Sequence, residues 1–143
     1  MANPWYMDIE PKVFTLIKAR TYPKLVKKYP SILFTSIDSL PTNETYSHTV
    51  YIHELGGSEL GADLEGKGVN AYECTFEVKI SVTEQDKVSK KSDVTAITGY
   101  ITEAFKDLGF KIVTMPTVNI SASAYTVPIR LRRVIGANDI ISF

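Results

Sequence analysis

The sequence predicts an α+β fold: two helices packed on one face of a mostly antiparallel, strongly bent β-sheet with long hairpins. Three observations predict it. The stretch 71–84 (AYECTFEVKISVTE) alternates apolar and polar residues without a break, with Tyr72, Cys74, Phe76, Val78, Ile80 and Val82 on one side. Two segments instead carry apolar residues at helical spacing, one near each end of the first 108 residues. The remaining apolar runs are short, β-prone and bounded by proline, glycine or asparagine, as strands are. Period-2 patterning fixes register, because a slip of one residue turns every apolar side chain of the strand to water. At about 3.3 Å per residue the strand reaches over ~40 Å, roughly twice the common length, which points to a sheet that bends or extends past its domain.

In chain order, Asp8-Ile9-Glu10-Pro11 offers a helix start with Asp8 as cap, an acid in the first turn and an early proline. Ile9, Val13, Leu16 and Ile17 supply the stripe, widened by Phe14 and Ala19, and Pro23 is expected to end the helix with Tyr22 extended. A last short turn over Lys24–Tyr29 precedes Pro30. Residues 32–37 (ILFTSI) read as the first strand and Thr42–Tyr46 as a polar loop. Thr49–Leu55 reads as a second strand leading into a glycine-rich acidic arm at 56–68, which holds five of the eight glycines. A mobile loop or a hairpin tip fits that composition.

After the long strand, Gln85–Ser92 is polar. Ser92 or Asp93 is the expected cap of a second helix over Val94–Leu108. Its stripe is Val94, Ile97, Ile101, Phe105 and Leu108, flanked by Ala96, Tyr100 and Ala104, and Gly109 stands where a C′ glycine belongs. Phe110–Thr114 reads as a strand, Met115–Ser123 as a connection and Ala124–Ile135 as another long strand. There Tyr125, Val127, Ile129, Leu131, Arg133 and Ile135 share a face, and Pro128 demands an edge or a bulge. Gly136–Asp139 reads as a turn and Ile140–Phe143 as a short final strand.

The chain of 143 residues has the size of one domain, 1–143, and its formal charge is zero. That balance disfavours a dedicated nucleic-acid binder, which needs a basic excess. The charges are segregated nonetheless. Residues 1–30 carry six Lys/Arg against two acids, and 111–143 carry Lys111, Arg130, Arg132 and Arg133 against Asp139. Residues 39–66 carry Glu44, Glu54, Glu59, Asp63 and Glu65 with no Lys or Arg. Basic ends around an acidic middle fit self-association through complementary patches.

Chemistry is sparse. The one cysteine, Cys74, lies on an apolar strand face and reads as a small buried hydrophobe. His48 and His53, five apart on a strand, fall on opposite faces, and no third ligand has metal-site spacing. The glycine-rich arm lacks the Lys-Ser/Thr of a phosphate loop, and no serine sits in a nucleophile elbow. Glu73, Glu77 and Lys79 line the polar face of the long strand. No apolar run reaches the ~20 residues of a membrane span, and the first residues form no signal-peptide core. The expectation is a soluble, non-enzymatic protein made in a reducing compartment, with no catalytic, cofactor-binding or metal residues.

One resemblance adds to this reading. It rests on residues 29–38 (YPSILFTSID), the alternating strand around Tyr72–Val82, the helix end at 105–110 (FKDLGF) and residues 125–136 (YTVPIRLRRVIG). Their order, over roughly 9–143, resembles the small tail terminator, or tail completion, proteins of long-tailed bacteriophages. The resemblance implies a virion protein of the tail and neck, made in the host cytoplasm. It implies a hexameric ring that caps the tail tube, stops its polymerisation and provides the docking surface for the head. Implied partners are further copies of the chain, the tail tube protein and the head–tail connector or head completion protein, with phage DNA passing through the lumen without sequence-specific binding. The candidate interface residues are Arg130, Arg132, Arg133, Glu54, Glu59, Asp63 and Glu65. A connector or tube subunit, and a small ligand-binding or enzymatic domain with a pocket beneath the arm, are the alternatives.

Overall fold

A computed structural model describes residues 5–36, 48–62, 69–83, 87–114, 116–120, 124–136, 139 and 141–143, without the side chains of 5–6, 58–62, 69–70 and 87–90. A single 3₁₀ turn at Trp5–Asp8 leads into α1 (Ile9–Lys28). Strands β1 (Ile32–Thr35), β2 (His48–Ala62) and β3 (Val69–Val82) follow, then α2 (Lys87–Asp107). Strands β4 (Lys111–Thr114), β5 (Asn119–Ile120) and β6 (Tyr125–Gly136) complete the chain. The fold is α+β: one open six-stranded sheet of order β1-β2-β3-β6-β4, with β5 beside β6 and both helices against one face. Among the described residues only β1–β2 is a parallel pair.

The alternation of β3 does what it predicts. Cys74, Phe76, Val78, Ile80 and Val82 are all fully buried, and across from them lie Leu131, Ile129 and Val127 of β6 and Ile52 and Val50 of β2. The α2 stripe Val94, Ile97, Ile101, Phe105 and Leu108 closes over this face, with the rings of Phe76 and Phe105 5.9 Å apart. Tyr100, by contrast, is exposed. Gly109, at φ +88°, ends the helix. Its N–H donates to the Lys106 carbonyl, and the Phe110 N–H donates to the Phe105 carbonyl. The Phe105 and Phe110 rings meet edge to face at 5.2 Å, the apolar contact that completes this type of C-terminal cap.

Several boundaries differ from the sequence reading. Pro23 does not end α1. The helix runs on to Lys28, so Tyr22 is helical and 24–28 belongs to α1. An interior proline costs about 3 kcal/mol, and burial of Leu25 and Tyr29 in the core beyond it offsets that cost. Asp8 occupies the N-cap without a side-chain cap bond. α2 starts at Lys87, so neither Ser92 nor Asp93 caps it. Its first turns are Lys- and Ser-rich; such residues are helix-compatible but carry no apolar stripe. β1 stops at Thr35, and Ile37 lies outside the described residues. β5 interrupts the expected connection, and Ile141–Phe143 forms no strand. The turn after β6 is closed by the Asp139 N–H donating to the Gly136 carbonyl.

β2 is the largest departure. Instead of stopping at Leu55, it continues through Gly56 and Gly57 to Ala62, paired with β3 as far as Val69. The glycine-rich arm is thus a β2–β3 hairpin as far as Ala62 and Val69, flanked by β6 on the β3 side up to Ala71, and residues 63–68 lie outside the described residues. A bulge makes the continuation work. Glu54 pairs with Phe76 and Gly56 with Thr75, which leaves Leu55 as the extra residue. Gly56 takes φ +105°, open only to glycine at low cost. Gly57 lies so close to β3 that a Cβ there would run into the Glu73 carbonyl. Pro128 behaves as expected: β4 pairs with Arg130–Arg132 and β5 with Tyr125–Thr126, so neither strand pairs with β6 at the proline.

Candidate subunit interface

The sheet face away from the helices carries a ladder of opposite charges. Glu73 of β3 lies beside Arg132 of β6 at 3.5 Å, and Glu77 lies between Arg130 at 3.4 Å and Lys79 at 3.5 Å. The two arginines remain about half exposed. Such exposed pairs are worth about 0–1 kcal/mol each, so they define the face more than they hold the fold. Glu73 and Glu77 thus each have their own cation. Lys79 also sits over the Tyr51 ring, which stacks on His53 at 5.7 Å.

The arginine cluster divides. Arg130 and Arg132 point to the charged face, whereas Arg133 lies on the helix side and donates from Nη1 to the Leu108 carbonyl at 2.6 Å. It satisfies one of the carbonyls that the end of α2 leaves without an intrahelical donor, a cation at the negative end of the helix. Arg133 thus belongs to the architecture of α2, not to a three-arginine surface. Sequence parity already separated Arg133 from Arg130 and Arg132; the helix end it meets, 25 residues away, had no sequence signal.

Glu54 is the one acidic candidate whose side chain is described. It sits on the helix side at the base of the arm and accepts a hydrogen bond from the Tyr72 hydroxyl at 3.1 Å. Burial pushes its carboxyl up from the ordinary glutamate range, and the nearby charge of Glu10 adds to the rise. Below it, burial pushes the Cys74 thiol up to about 12, with the Glu54 charge as the next cause. The thiol donates to the Arg133 carbonyl at 3.4 Å and is a buried, unreactive group. Glu59 lies in the arm strand opposite Tyr72, while Asp63 and Glu65 lie outside the described residues.

A buried polar cluster escaped the sequence reading. His48 is 2% exposed, and its Nε2 lies 3.0 Å from Asp93 of α2. The Tyr29 ring packs on the imidazole at 4.6 Å. Burial raises the Tyr29 hydroxyl pKa, and the Asp93 charge raises it further. Asp93, expected as a cap, instead ties α2 to the start of β2. Among the described residues no group of three His, Cys, Asp or Glu is placed to hold a metal ion, and no helix is long and apolar enough to cross a membrane.

Beside the charged face, the edge at β4 opens into a cleft of about 570 Å³ whose lining includes Lys111, Val113, Arg132 and Val134. Val113 and Val134 are each about half exposed.

No protein-family model matches the sequence, and no curated protein matches it. A solved chain that carries no functional description is similar at 14% identity and a TM-score of 0.50, over 88% of this chain and 94% of the other. At that identity the likeness bears on the fold alone.

Proposed function

We propose that the protein is a structural subunit of a phage tail: a tail terminator that forms a ring on the end of the tail tube, stops tube growth and offers the docking surface for the head. The carrying observation is the asymmetry of the sheet. Helices cover one face, a charge ladder occupies the other, and the β2–β3 hairpin runs beyond the bulge at Leu55. Such a subunit has different surfaces on its different sides, as a head-to-tail ring requires. The segment order that resembles tail terminators supports the same reading, and the segregated charges supply complementary patches. The ring subunits are copies of this chain. Its other partners are the tube protein and the connector, and DNA crosses its lumen.

Sedimentation velocity together with electron micrographs of the purified protein tests the reading. The expected species is a ring with a central lumen, near 95 kDa for six copies of a 15.9 kDa chain. A monomer that persists at every concentration, with no ring on added tail tubes, refutes it.

A further inference from the structure

We infer that the ring closes by edge-to-edge strand addition, the arm segment of β2 in one copy pairing with β4 of the next; this rests on the self-association just proposed. Among the described residues, each of these strands has a partner on one side only. β2 is flanked by β1 at His48–Tyr51 alone, so from Glu54 to Ala62 it pairs only with β3. β4 pairs only with β6. An edge of this kind presents a row of N–H and C=O groups and is a template for another strand.

Strand direction agrees. β2, β3, β6 and β4 are successively antiparallel, so β2 and β4 run in opposite directions within one subunit. A copy related by rotation about an axis along the strands therefore brings its β2 antiparallel to β4, the pairing used by most of this sheet. Because the two edges are different surfaces, the contact repeats around a ring instead of ending at a dimer.

Charge selects the occupant. On the β4 side, Lys111 stands directly opposite Arg132, with Arg130 next along β6. Arg132 and Arg130 already lie 3.5 and 3.4 Å from Glu73 and Glu77, so Lys111, beside Arg132, is the cation of this edge that an anionic partner would meet. The β2 edge from Glu54 to Ala62 carries Glu54 and Glu59 and no Lys or Arg. Apolar groups complement each other too: Leu55 at the bulge is 44% exposed, and Val113 and Val134 at the β4 edge are 52% and 50% exposed. A second copy of this chain thus brings an acidic strand to Lys111 and an apolar anchor, Leu55, to Val113 and Val134.

The test couples cross-linking with charge reversal in the full-length protein. Native Cys74 stays in place, because its buried thiol does not compete. Leu55→Cys and Val113→Cys in one chain should give an oxidised ladder of covalent multimers. The two single variants, mixed, should stop at dimers, and each alone should give none. Lys111→Glu should raise the concentration for half-assembly about tenfold or more, and Glu59→Lys in the same chain should recover much of that loss. Circular dichroism identical to the parent confirms that each variant is folded. Rings that form normally with Lys111→Glu and give no Leu55–Val113 cross-link overturn this edge pairing while leaving the ring itself standing. Failure of the parent protein to assemble overturns both.

Discussion

Replacing Phe105 by alanine probes the joint on which the helix layer and the sheet depend. Phe105 is fully buried, 5.9 Å from the Phe76 ring of β3 and 5.2 Å from the Phe110 ring that follows α2. It is also the residue whose carbonyl receives the Phe110 N–H in the helix cap. Truncating a buried phenylalanine costs about 3–5 kcal/mol in lost transfer energy and cavity formation. Each edge-to-face or tilted ring contact is worth a further ~0.5–1.5 kcal/mol beyond area, which places the expected loss in the upper half of that range. A domain of this size has about 5–15 kcal/mol in hand, so the variant should sit near the edge of folding at 37 °C.

Urea unfolding followed by circular dichroism, at one fixed protein concentration, measures the loss. The expected result is a lower midpoint with an unchanged slope. At roughly 2–4 °C per kcal/mol, the thermal midpoint should fall by about 8–20 °C. Phe105→Leu keeps most of the volume and should lose under ~1.5 kcal/mol. A loss below ~1 kcal/mol for the alanine variant would mean that α2 does not seal the sheet through this side chain, and the packing described above would be wrong.

Two further outcomes follow from the base of the arm. Glu54 has a folded-state pKa above its unfolded one, so the folded protein binds the extra proton and stability falls as pH rises through that interval. Glu54→Gln, which keeps an acceptor for Tyr72, should therefore raise the melting temperature at pH 7, with the advantage gone once pH drops below about 4; a variant less stable at pH 7 contradicts the assignment. Gly57→Ala forces a methyl group against the Glu73 carbonyl and should cost about 1–3 kcal/mol, read as faster amide exchange in 56–62 and 69–75 with α2 unaffected. Unchanged exchange there would show that the two strands are not so closely paired.

What the sequence makes legible is what burial writes into hydropathy. The faces of β3 and β6, the stripe of α2 and the glycine after it are all readable, because each apolar position has its counterpart in the core. The misses are positions where hydropathy is silent. Pro23 breaks an isolated helix, yet Leu25 and Tyr29 are buried beyond it, and tertiary packing overrides the local penalty. Gly56 and Gly57 contribute no side chain to a strand pattern; only the bulge and the close approach to β3 explain them. His48 and Asp93 are 45 residues apart, and nothing in either neighbourhood announces the other. Of the candidate interface, the opposed charges of β3 and β6 follow from strand parity. The separation of Arg133 from its neighbours by face does too, whereas its bond to the end of α2 needs the third dimension.

The bulge at Leu55 also marks where the interior of the subunit ends. Up to Cys74 and Ile135 every helix-side position of β3 and β6 is buried except Arg133, whose guanidinium is spent on α2. One step further along β3 lies Tyr72, only partly buried, with its hydroxyl on Glu54 instead of in an apolar layer. A polar pair at that level is stable because it is hydrogen-bonded. Beyond it, β2 consists of Gly56, Gly57, Ser58, Glu59, Leu60, Gly61 and Ala62, a composition with little apolar surface to offset the cost of ordering its backbone, about 1–2 kcal/mol per residue. β6 follows β3 as far as Gly136 opposite Ala71, so the arm is three strands wide up to Leu60 and only its last residues form a two-stranded ribbon, which is marginal by itself in water. Its strands are nevertheless paired residue by residue as far as Ala62 and Val69. β2 is therefore the outer strand of the arm, with one edge left to pair among the described residues, and the positively charged, half-apolar edge at β4 is the surface of this same chain that fits it.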